Sequence, residues 1–186
     1  MPAFNYRTAA TSLKLAATGF LLMAAAALGV AALQIYVRTG LTPQGALLHY
    51  RGDELTLQYP MGFTEIVGIT HAHAFTMPLV ALVLSAAIVM SNARERLKCL
   101  VVIALFGGMA LELGVPWLVR YGPPWTVHLF MLSGVLLVGG VFVAASVPLY
   151  EMWWSPHGVD TAARPQAWQP GKWPSSSPGN RLRSRH

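Results

Sequence analysis

Charge is scarce in this chain. Charged residues fill 11% of its 186 positions against 54% hydrophobic ones, and the mean hydropathy is +0.48. An ordinary soluble domain carries about 25% charged residues, so that class is excluded. Cysteine is scarcer still. Cys99 stands alone, which excludes an internal disulfide and the Cys-x-x-Cys-His attachment of a c-type haem. No Gly-rich phosphate loop, nucleophile elbow or zinc-protease motif occurs, so the chain does not read as an enzyme on its own. Acids number 7 against 13 Lys and Arg, a formal charge of +6. The basic residues flank apolar runs or fill the C-terminal segment, which is a topology pattern and not a nucleic-acid patch.

What the chain does have is four long apolar runs, over about residues 15–37, 66–90, 99–119 and 125–149. Each reaches the roughly 20 residues that cross a hydrocarbon core of about 30 Å at 1.5 Å per residue. The first run exceeds the 7–15 residues of a signal-peptide core and reads as a retained span. The expected fold is all-α, an integral membrane four-helix bundle over residues 1–154. A disordered basic tail, rich in Pro, Ser and Gly, is expected over 155–186. Lys and Arg concentrate at the N-terminus, in the 92–98 loop and in the tail, which predicts a multi-pass inner-membrane protein with both termini cytoplasmic.

Residues 38–64 form the only sizeable outer loop. Thr42 as N-cap and Pro43 at the first helical position predict a short interfacial helix over about 43–50, followed by a polar turn at Arg51–Glu54. The loop as a whole reads as a solvated connector lying on the bilayer.

The chemistry-bearing residues lie inside the spans. In Glu-Ile-Val-Gly-Ile-Thr-His-Ala-His-Ala-Phe-Thr-Met-Pro-Leu, residues 65–79, His71 and His73 fall in the outer leaflet. Ionisable groups at such depth are costly and default to function. Two residues along a helix turn by about 200°, so the two imidazoles cannot share one ligand. His73 shares a face with Met77, and on the last span His128 lies one turn from Met131. Glu112, nearer the membrane centre, is the deepest ionisable group. Pro78 and Pro116 free the carbonyls of Ala74 and Glu112.

Four spans with histidines in the outer leaflet resemble small four-helix membrane b-type cytochromes, which pass electrons between quinol and partners at the membrane surface. The resemblance covers the spans and the placement of His71, His73 and His128. It implies a haem b between the second and fourth spans, with His128 opposite His71 or His73. Gly68, one turn above His71, favours His71. Imidazole and thioether together also suit copper, on His73, Met77, His128 and Met131. A third expectation needs no cofactor: a buried His–Glu112 network that locks the bundle or conducts protons in a structural or accessory subunit. Lipid and other membrane or periplasmic proteins are the expected partners.

Overall fold

The computed structural model describes residues 5–55 and 57–154; the expected tail lies outside the described residues. Five α-helices follow in order: α1 Thr11–Thr39, α2 Pro43–Arg51, α3 Phe63–Val89, α4 Glu95–Tyr121 and α5 Leu129–Trp153. Short 3-10 turns cover Tyr6–Thr8 and Pro124–His128. The last span therefore starts as a 3-10 turn where the sequence predicts α-helix. Pro124 opens that turn, where no N–H is required; the Thr126 backbone N–H donates to the Pro123 carbonyl at 3.1 Å in the i→i−3 pattern, and Thr126 Oγ1 donates to the same carbonyl at 2.7 Å.

Among the described residues, four helices are long and apolar enough to cross a membrane: α1, α3, α4, and α5 with its leading turn. Because backbone polar groups must be satisfied within the segment in lipid, helix is the form these runs take. The protein is an integral membrane protein. One end of the bundle gathers residue 5, the α3–α4 loop and residue 154 and is called here the terminal end. The opposite loop end carries α2 and the α4–α5 connection.

The core joins α3, α4 and α5 through Leu84, Ile88, Val101, Leu105 and Ala144. Glycines let α4 and α5 approach closely. A Cβ on Gly108 would meet Leu137 Cγ at 2.9 Å, and one on Gly140 would meet Leu105 Cδ2 at 3.1 Å. By contrast α1 buries Leu21 alone of its 29 residues, so most of its surface is exposed on the chain. It is tied at the terminal end, where Tyr6 Oη donates to the Ala87 carbonyl at 2.8 Å.

The outer loop is no loose connector. Thr42 Oγ1 caps α2 by accepting from Gly45 N at 3.0 Å, as the sequence predicts. But Ala46 of α2 packs with Val115, Val119 and Val127, and Tyr50 stacks on Phe130 at 5.5 Å. The short helix is seated on the loop end of α4 and α5.

Candidate functional site

The polar groups of the loop end come from four helices. Glu112 lies nine residues before the end of α4, about 13 Å deep. Its neighbour is Ser133 of α5, fully buried, whose Oγ donates to Glu112 Oε2 at 2.7 Å. The Phe130 carbonyl lies 3.1 Å from the same hydroxyl. This bond ties α4 to α5 inside the membrane, where an unmet polar group costs several kcal/mol.

Above this pair sits α2. Arg51 Nε donates to the Val119 carbonyl at 2.7 Å, and a second guanidinium nitrogen donates to the Gly122 carbonyl. Carbonyls at a helix C-terminus have no partner within the helix and carry the negative end of its dipole, so a guanidinium there is doubly favoured. Arg120 Nε in turn donates to the Met61 carbonyl at 3.1 Å. Trp117 Nε1 donates to Thr70 Oγ1 at 2.9 Å, bracing α4 against α3.

The seat alters the chemistry of α2. Burial pushes the Tyr50 hydroxyl up from 10.0 to about 12; Glu112 adds to the rise, Arg38 opposes it and Glu65 adds again. Burial pushes His49 below its usual 6.5, Arg38 adds to this, and Glu65 opposes it. The folded chain thus binds fewer protons at His49 than the unfolded chain. This contribution to stability is complete above pH 6.5 and is lost as pH falls towards the depressed value. Tyr50 runs the other way: its contribution is complete below pH 10.0 and is lost as pH rises towards about 12. The melting midpoint of the purified protein is expected to fall on acidification below pH 6.5. The fall should be shallower in His49→Gln; equal slopes in the two proteins would exclude this role.

The histidines of the spans are placed differently. His71 and His73, about 12 and 15 Å into α3, are both exposed on the surface of the chain. The His71 ring packs edge-on against Phe75 at 5.3 Å. His73 Nδ1 lies 2.8 Å from the Ile69 carbonyl. His128 is the last residue of the 3-10 turn, exposed at the mouth of α5 rather than within its regular helix. Met77 packs against the core cluster, whereas Met131 is 67% exposed. Among the described residues no three His, Cys, Asp or Glu side chains are grouped as a metal site. Glu112 is hydrogen-bonded to serine and not to an imidazole.

Sequence reasoning missed Arg51, Tyr50, Thr126 and the bonding role of Ser133. One signal was available for Ser133. It lies nine residues after Pro124, as Glu112 lies nine before Tyr121, so an antiparallel pair places the two at matching depth.

Residues 40–158, more than half of the chain, match a protein family described as a transmembrane helical domain. The match starts at Gly40, immediately after α1. No curated protein and no solved structure matches the chain.

Proposed function

This chain belongs to the Aq_1264_TM family of transmembrane helical domains, and on that premise we propose that it serves as a non-enzymatic accessory subunit of a membrane complex. The observation that supports this reading is a division among its polar groups. Glu112 is satisfied internally by Ser133, whereas His71 and His73, about 200° apart around α3, are both exposed at membrane depth. Imidazoles facing lipid tails are costly, and a neighbouring membrane protein would relieve that cost. In this reading both termini lie in the cytoplasm and the protein in the inner membrane, since Lys and Arg concentrate at the terminal end.

A second reading, an electron-transfer subunit carrying a b-type haem, is favoured by His73. A carbonyl only accepts, so the contact with Ile69 fixes the proton on Nδ1 and leaves Nε2 as the exposed coordinating nitrogen. His73 or His71 would then supply one ligand from this chain, and His128 or a neighbour the other. Bound haem would supply one-electron redox chemistry.

Purification from native membranes in mild detergent distinguishes the two readings. The accessory reading expects co-eluting membrane chains that are lost in His71→Ala/His73→Ala without a change in melting midpoint. A chain that elutes alone overturns it. A Soret band with sharp α and β bands on dithionite reduction, abolished when both His71 and His73 are replaced by alanine, establishes the haem reading instead.

A further inference from the structure

At the terminal end, α1 and α5 meet at Thr18 and Trp153. They leave an open cleft of about 480 Å³ lined by Thr18, Leu22, Leu149, Trp153 and Trp154. Leu22 is 57% exposed and Trp154 69% exposed, so the apolar walls face the bilayer.

The mouth of the cleft is built and basic. Trp153 Nε1 donates to Thr18 Oγ1 at 3.0 Å, which fixes the indole that forms its floor. Lys14 Nζ stands 5.9 Å from the centre of that ring. It donates to the Arg7 carbonyl at 2.9 Å and the Met152 carbonyl at 3.3 Å, leaving one of its three N–H donors for a ligand. The first turn of α1 contains no acid. The Glu151 carboxylate accepts from the backbone N of Asn92 at 2.8 Å.

An apolar slot open to lipid, an indole floor and an ammonium at headgroup level complement one kind of occupant. We propose that this cleft binds an anionic phospholipid, with an acyl chain along Leu22 and Leu149 and the phosphate at Lys14. Tryptophans at the membrane interface and cations beside anionic headgroups follow the general physics of that boundary. A lipid there would add to the direct ties of α1, which lies outside the family match and buries Leu21 alone. The lipid fills the gap that side chains leave.

The test is native mass spectrometry on the full chain, delipidated and then titrated with phosphatidylglycerol or phosphatidylcholine. One phosphatidylglycerol should be retained about five-fold more strongly than phosphatidylcholine, the equivalent of about 1 kcal/mol for one basic residue near the surface. Lys14→Gln should bring the ratio close to one, and Lys14→Arg should restore it. Leu22→Trp, which fills the slot and touches no hydrogen bond, should remove tight retention while the helical circular dichroism is unchanged. Retention that persists in Leu22→Trp would place the lipid elsewhere, on the basic residues of 155–186 for example, and overturn the proposal. Equal retention of both lipids by the unaltered chain would overturn it too, as would a stable dimer that retains no lipid.

Discussion

Gly108→Leu is expected to abolish the folded protein, whereas Gly107→Leu, one residue away, is expected to be tolerated. The two glycines are indistinguishable by type and differ only in what faces them. A Cβ on Gly108 meets Leu137 Cγ at 2.9 Å, Leu136 Cβ at 3.0 Å and the Leu137 backbone nitrogen at 3.0 Å, while one on Gly107 meets nothing within 4 Å. A side-chain tip can swing away, but a backbone nitrogen moves only with its helix. In membranes helices gain most from close van der Waals approach, which small residues permit, so separating α4 from α5 removes the principal contact of the bundle. Overpacking costs about 1–3 kcal/mol for added methylenes. Gly108→Ala should therefore lower the melting midpoint, and Gly108→Leu should leave no monodisperse peak on size exclusion in detergent. Equal behaviour of the 107 and 108 variants would show that α4 and α5 do not cross at this point.

The same pair of glycines shows what the sequence makes legible and what it withholds. Length and hydropathy place α1, α3, α4 and α5, because the thickness of the bilayer sets a length that only helices can satisfy. Depth is legible for the same reason, at a fixed rise per residue. Facing is not. In a soluble helix one side is polar and marks the solvent, but in lipid both the buried and the exposed sides are apolar. The sequence fixes the angle between His71 and His73 and leaves open whether either turns inward; both are exposed. The clasp of α2 was hidden for a different reason. Arg51 reads locally as part of a polar turn, and its acceptors, the Val119 and Gly122 carbonyls, lie 68 and 71 residues away. No local pattern encodes such a contact. Thr42 and Pro43, by contrast, act within one helical turn, and they mark the start of α2 in sequence and structure alike.

The second large effect is expected at Ser133. Replacing it by alanine removes the donor from Glu112 Oε2 at 2.7 Å and leaves a carboxyl inside the bundle with no such partner from α5. Glu112 is half-buried, so stranding it costs up to the roughly 1–3 kcal/mol of a buried polar group, more than the bond itself contributes, since interhelical hydrogen bonds in membranes average about 0.6 kcal/mol. The asymmetry yields a prediction that simple contact counting would miss. Adding Glu112→Leu to Ser133→Ala should recover most of the lost stability, because it removes the stranded group and substitutes apolar volume. Unfolding of the four proteins of this cycle, in mixed micelles with a denaturing detergent, measures the coupling. A Ser133→Ala protein as stable as the unaltered chain would show that water or another group satisfies Glu112. Glu112→Gln then separates a strut from a proton carrier. The amide oxygen still accepts from Ser133, so the bundle should melt within about 1 kcal/mol of the unaltered protein. An amide cannot take up and release a proton in the way a carboxyl does. Should the chain work in the complex proposed above, loss of that complex's activity in a Glu112→Gln protein that folds and assembles normally would therefore assign Glu112 to proton movement. Retained activity would assign it to holding α4 against α5.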